Sequence, residues 1–227
     1  MIKKGVNEVV VREKFELELN SVHEQFLLLS NLSITTLNKS IDALLNQDVD
    51  ISLSIIENDI HINRLEEEIN DRVILLLAKQ QPVATDLRRL IVLLKAAHDM
   101  ERVGDYAVNI AKEAIRIGKA EFVSPIKNIE QMRSITITML TEVMKAFVEE
   151  DIEQARKIAE LDDKVDNLYG QTIQQLLIVG SENPQLLSQV TQLSFVCRYL
   201  ERSADHATNI AEQLFYLVKG RHYELNN

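Results

Sequence analysis

The chain has 227 residues and a formal net charge of −10, which offers a phosphate backbone little to bind and sets nucleic acid aside as a partner. Only 6 glycines and 3 prolines are present, too few for the turns of a β-rich fold or for a Gly-rich phosphate loop. A single cysteine gives no disulfide framework and no thiolate zinc site, and the longest apolar run, residues 73–78, is far short of the roughly 20 residues of a spanning helix.

These exclusions leave long helices with few connections. Before residue 80 the only breaker is Gly5, so residues 7–80 are expected to hold two helices joined by a polar turn near Asn46–Asp50. Pro82 is placed at the start of a third helix, which ends at Gly118. Ser124 and Pro125 open a fourth, with Ser124 as N-cap. Glu149–Asp151 resembles the turn near residue 48. A fifth helix is expected to end around Gly180, and Pro184 leads into a sixth that ends at Gly220. The last seven residues read as a frayed tail. The start, MIKKGVNEVVVREKF, has no apolar stretch long enough for a signal peptide, so a soluble protein is expected, and the single cysteine fits a reducing compartment.

The chain also repeats itself. Residues 100–111 (MERVGDYAVNIA) and 200–211 (LERSADHATNIA) share seven of twelve positions. ALLNQDVD at 43–50 matches AFVEEDIE at 146–153, and the same offset pairs Asp59 with Asp162. The expected fold is therefore all-α, two tandem duplicated three-helix bundles, with repeats at 1–120 and 121–227.

The repeats carry acids on their core stripes. In the third predicted helix, Leu87, Leu90, Leu94, Ala97, Glu101 and Gly104 follow steps of three and four, and Asp105 lies one turn beyond Glu101. The sixth repeats this from Leu187 through Cys197, Glu201 and Ala204, with Asp205 one turn on. Asp59 in the second helix and Asp162 in the fifth fall on their own stripes, followed one turn later by Asn63 and Asp166. Asn109 and Asn209 extend the two strips as ligands or as supporting hydrogen-bond groups. Clustered carboxylates repel, and burial worsens the repulsion. Protons, cations or nearby arginines (Arg88, Arg89, Arg102, Arg202) would relieve it. Oxygen-only ligands suit hard cations, and carboxylate clusters also hold iron. Gly104 and Ala204 are expected to permit close helix approach, Cys197 to be a buried structural thiol, and His98 and His206 to lie at the surface or beside the acids.

The doubled Glu-Arg-x-x-Asp-x-Ala-x-Asn-Ile-Ala motif at 101–111 and 201–211, together with QQPVATDLRRL at 80–90 and VEEDIEQARKIAELDDKVDNLY at 148–169, resembles the PhoU family. The resemblance implies a cytoplasmic regulator that restrains the phosphate-starvation response. It implies partners in the ATPase subunit of the phosphate ABC transporter and in the phosphate sensor histidine kinase, with membrane association only through them. It also implies metal ions (iron, manganese, magnesium or zinc) at Asp59, Glu101 and Asp105 in the first repeat and at Asp162, Asp166, Glu201 and Asp205 in the second. Asn63 stands where the family commonly has Asp, so the first site is expected to be the weaker. Long apolar helices also suit a homodimer.

Two rivals differ in kind. A ferritin-type di-iron enzyme would carry Glu-x-x-His, yet none of His23, His61, His98, His206 and His222 has Glu three residues before it. A metal-free helical scaffold, serving this or another transporter, would tolerate amides at 101 and 201. No catalytic residue is expected. The basic residues Arg88, Arg89, Lys95, Lys112 and Arg116 are candidates for partner contact.

Overall fold

The computed structural model describes residues 2–122 and 126–225, and of residues 2–11 the backbone alone. The fold is all-α, with no strand among the described residues. Helix α1 (Ile2–Leu45) is followed by α2 (Val49–Asn58), α3 (Ile60–Gln80) and α4 (Ala84–Ile117). The second repeat consists of α5 (Ile126–Glu149), α6 (Ile152–Glu182), a 3-10 turn (Pro184–Leu186) and α7 (Leu187–Lys219). The expected N-cap Ser124 and Pro125 lie outside the described residues.

The two predicted polar turns are the same device used twice. After α1, Gln47 is left-handed (φ 54°). The Gln47 N–H donates to Leu44 O (3.1 Å) and the Asp48 N–H to Ala43 O (2.8 Å), which closes the helix with a Schellman pair. Asp48 then caps α2 by accepting from the Ile51 N–H at 2.9 Å. After α5, Glu150 is left-handed (φ 52°), the Asp151 N–H donates to Ala146 O at 2.9 Å, and Asp151 caps α6 through Glu153 and Gln154. One aspartate thus ends one helix and begins the next, which keeps the first turn to residues 46–48 and the second to residues 150 and 151.

Three boundaries differ from expectation. The second predicted helix is broken at Asp59 into α2 and α3. Asp59 keeps helical angles (φ −56°, ψ −32°), but its carbonyl takes both the Ile62 N–H (2.9 Å) and the Asn63 N–H (3.2 Å), so the ladder tightens locally to a 3-10 step. Pro82 does not open α4. Gln81 is the left-handed cap of α3, Val83 is extended, and the helix begins at Ala84. Gly180 does not end α6. It is buried inside that helix, and a Cβ there would sit 3.1 Å from Leu187 Cδ2, so this glycine serves close approach to α7. The C-terminal residues pack rather than fray as far as they are described: Leu225 N–H donates to Glu212 (2.9 Å), and Tyr223 stacks on Phe215.

Helices α4 and α7 form the centre. Asp99 meets His206, and Tyr106 meets Tyr199, so the two run antiparallel. Those contacts are exchanged by the offset of 100 that relates the repeats: the equivalents of 99 and 206 are 199 and 106. The repeats are therefore related by an approximate two-fold axis crossing α4 and α7 near Arg102 and Arg202. One apolar core runs through both repeats, including Phe26, Leu90, Met100, Met139, Leu193 and Leu200. Because α4 is buried on more than one side, the predicted stripe is only part of its core face: Leu93, Ala96, Met100 and Val103 are buried as well. Leu87 and Leu187, which begin the two predicted stripes, are exposed at the tips.

Candidate metal sites in the two repeats

In the second repeat, Asp166 on α6 and Glu201 and Asp205 on α7 bring carboxylate oxygens within 4.8 Å of one another. Period 3.6 puts 201 and 205 one turn apart on the face turned to α6. Glu201 Oε1 accepts from Arg198 (2.9 Å), and Asp205 Oδ2 accepts from Arg202 (3.0 Å). Glu201 Oε2 is buried with no hydrogen bond among the described residues; Arg202 Nε lies 3.7 Å away. Burial raises the Glu201 pKa, helped by the charges of Asp205 and Asp166, against Arg198 and Arg202. Burial and then Asp205 likewise raise that of Asp166. Asp162 is buried one turn before Asp166 and is outside the converging three.

The first repeat is built differently. Asp105 lies close enough to both Asp59 and Glu101 to raise the pKa of each, after burial as the larger cause. Gly104 sets this spacing: a Cβ there would lie 2.9 Å from Ile62 Cδ1, so α3 and α4 touch backbone to side chain. Asp59 Oδ1 and Glu101 Oε2 are buried without hydrogen bonds among the described residues. Asp59 Oδ2, however, accepts from Asn63 Nδ2 at 3.2 Å, and Asp105 is ion-paired to Arg102. Among the described residues no three carboxylates of this repeat converge as those of the second do. Glu66, which also raises the Glu101 pKa, is a neighbour that the stripe analysis did not single out as a ligand.

Oxygen-only donors, with buried anionic oxygens at Asp59, Glu101 and Glu201 left without hydrogen bonds, fit a hard cation or iron. Arginine pairing and unmet oxygens coexist: Arg102 and Arg202 hold the Asp of each motif, while the Glu of each keeps one bare oxygen. Arg88 and Arg89 do not serve the seams. Arg88 donates to Thr85, and Arg89 lies 3.9 Å from Asp86 and 3.8 Å from Glu150. Arg198, absent from the expected partners, takes that place.

His206 is not a surface group. Its Nδ1 contacts Asp99 Oδ1 at 2.7 Å, tying α7 to α4. Asn209 Nδ2 lies 3.4 Å from the same oxygen, so this residue turns to the other repeat and not along the ligand strip. Asp99 has no equivalent acid in the second repeat, and periodicity gives no signal for it. His98 is exposed, 3.8 Å from Glu101. Cys197 is buried, and burial pushes its thiol up to about 12, so it is an inert core group.

The PhoU domain model matches the chain twice, over residues 26–114 and 129–214. The chain is 35% identical over 219 residues to the phosphate-specific transport system accessory protein PhoU homolog of Clostridium acetobutylicum, covering 96% of this chain and 100% of that one. It is 33% identical over 210 residues to the accessory protein PhoU of Escherichia coli K12, covering 92% and 87%. The crystal structure of PhoU from Pseudomonas aeruginosa superposes with a TM-score of 0.88 at 33% identity, over 91% of this chain and 100% of that one. That of the regulatory protein PhoU from Streptococcus pneumoniae gives 0.86 at 29%, over 92% and 99%. The chain belongs to the PhoU family.

Proposed function

We propose that this member of the PhoU family is an accessory regulator of phosphate transport and performs no catalysis. The observation that carries the reading is the match over nearly the full length of relatives named for the phosphate-specific transport system, with both repeats included. In this reading the units are residues 1–120 and 121–227. The protein is cytoplasmic and dimeric, and it reaches the membrane only through its partners. Among the described residues no helix is long and apolar enough to cross a membrane. The protein links the transporter ATPase subunit to the sensor histidine kinase and holds the phosphate-starvation response down. Co-purification with each partner tests the link. Deletion of the gene should raise phosphate uptake and starvation-gene expression in phosphate-rich medium; unchanged expression would reject the negative role.

The acidic seams are read as metal sites, the second repeat filling first. The support is its three convergent carboxylates, against the Asn63-capped Asp59 of the first. Metal analysis by mass spectrometry, on natively purified protein and on a Glu201→Gln, Asp205→Asn variant, tests this. Metal near one equivalent per chain should fall sharply in the variant. Metal-free protein after loading with Mg²⁺, Mn²⁺ and Fe²⁺ would remove the assignment and leave the acids as arginine partners.

A further inference from the structure

Helices α4 and α7 lie side by side with one stripe of each turned outward: His98, Arg102 and Asn109 on α4, and Phe195, Arg202 and Asn209 on α7, are exposed or half-buried. Phe195 is the one exposed phenylalanine among the described residues, at 46%. It heads a run of stacked rings, lying 6.3 Å from Tyr199, which in turn lies 5.9 Å from Tyr106. We propose that this face binds a second copy of the chain, with Phe195 of each copy seated in the cleft between α4 and α7 of the other.

Knob and cleft are placed for a reciprocal contact. Phe195 lies seven residues before Arg202, about 10 Å along α7 from the approximate two-fold axis. The cleft, of about 470 Å³, opens mainly on the other side of that axis and reaches Asn209, seven residues past Arg202. Two copies set face to face, related by a two-fold axis across the helices, therefore bring each Phe195 over the other's cleft, the exchange of contacts that an isologous interface requires. The cleft suits an aromatic ring. Tyr106 and His206 line it with their rings 5.7 Å apart, and Arg102 lies over the Tyr106 ring at 5.4 Å. Rings and a guanidinium plane are stacking partners for an inserted phenyl group. The chain carries −10 overall, yet the charges of this face are met locally: Arg102 pairs with Asp105, Arg198 with Glu201 and Arg202 with Asp205. A second copy is therefore not repelled here as it would be by an acidic face. The extent also suffices. Helices of 34 and 33 residues running side by side for about 50 Å present on the order of 1,000 Å², and a stable interface takes about 800 Å² from each partner.

The choice of a second copy rests on the dimeric state put forward above; the roles given to metal and to the transporter do not enter. The test is sedimentation equilibrium of the full chain, treated with chelator, from about 1 to 100 µM. A dimer is expected. Phe195→Glu should raise its dissociation constant about tenfold or more, while Leu177→Glu, exposed on α6, should leave it within about twofold. Circular dichroism should show both variants folded, because both side chains are exposed. The register is read from a Phe195→Cys, Asn209→Cys variant. The two positions are about 21 Å apart along α7, too far for a disulfide within one chain, so oxidation should yield a covalent dimer, and Phe195→Cys alone should not. The native Cys197 is buried and does not compete. A dimer unaffected by Phe195→Glu would overturn the proposal and leave the dimeric state standing on another face. A chain that stays monomeric at about 100 µM would overturn the proposal and the dimeric reading together. Cross-linking through Phe195→Cys alone would place the two Phe195 positions against each other, away from the clefts, and overturn the proposal as well.

Discussion

Glu201 shows what a buried acid does when it has too few donors. Its folded pKa lies above the ordinary 4.5, chiefly through burial. The sign is the reverse of a salt-bridged carboxylate. The folded state holds the proton more tightly than the unfolded one, so ionisation at neutral pH opposes folding, and the opposition fades as pH falls toward the unfolded value. Glu101 behaves alike. Without metal, the Glu101→Gln, Glu201→Gln variant should melt a few degrees above the wild type at neutral pH. That gap should close as pH falls toward 4.5. Comparing the two proteins cancels His23, whose pKa burial lowers and whose protonation works the other way. A gap that widens in acid would refute the account. Asn63 is the complementary case. Asn63→Asp removes the donor to Asp59 and sets a second charge beside it, so metal-free stability should fall by about 1 kcal/mol, read by urea unfolding. Metal bound per chain should rise in the same variant. The seam acids were legible because they recur at a fixed offset on apolar stripes. Asp99 and His206 were not, because they pair across 107 residues and neither recurs.

At the level of elements, the two aspartate turns carry the repeat architecture. Asp151 accepts from two N–H groups and Asp48 from one. Asp151→Ala and Asp48→Ala should each cost about 1 kcal/mol in denaturant unfolding, with the larger loss at Asp151. A change below about 0.3 kcal/mol in both would show that the Schellman bonds alone hold the turns. These turns could be read from sequence because polar clusters interrupt an apolar period at matching places. The break at Asp59 could not, since its residues include no glycine or proline and its angles stay helical. It arises from the hydrogen-bond ladder, which composition does not record. Pro82 and Gly180 misled for a related reason. Each residue type has two uses, as a boundary or as a local fit, and packing decides between them. Gly180 is small because Leu187 lies against it, and Pro82 sits in a link whose ends are set by Gln81 and Val83.

For the whole molecule, duplication sets up a question of cooperativity. Two three-helix units joined by a thin seam would unfold in two steps. Here the units share α4 and α7 as a common centre, with Tyr106 against Tyr199 and Asp99 against His206 across the axis. Apolar residues from both repeats, Leu90 and Met100 with Leu193 and Leu200, belong to one buried cluster. Removing a group from that cluster weakens both repeats together, because neither keeps its core face covered once the other opens. Leu200 is fully buried, so Leu200→Ala should lose about 2–5 kcal/mol. Calorimetry should show one transition moved to lower temperature, with calorimetric and van't Hoff enthalpies still equal. A variant that splits into two transitions, one at the wild-type temperature, would make the repeats independent folding units. The shared centre also bears on function. Glu101 and Asp105 on α4 and Glu201 and Asp205 on α7 belong to this pair of helices, with Arg102 and Arg202 bonded to Asp105 and Asp205. A shift of α4 against α7 would therefore move the Glu and Asp of both motifs at once, relative to Asp59 and to Asp166 on α6.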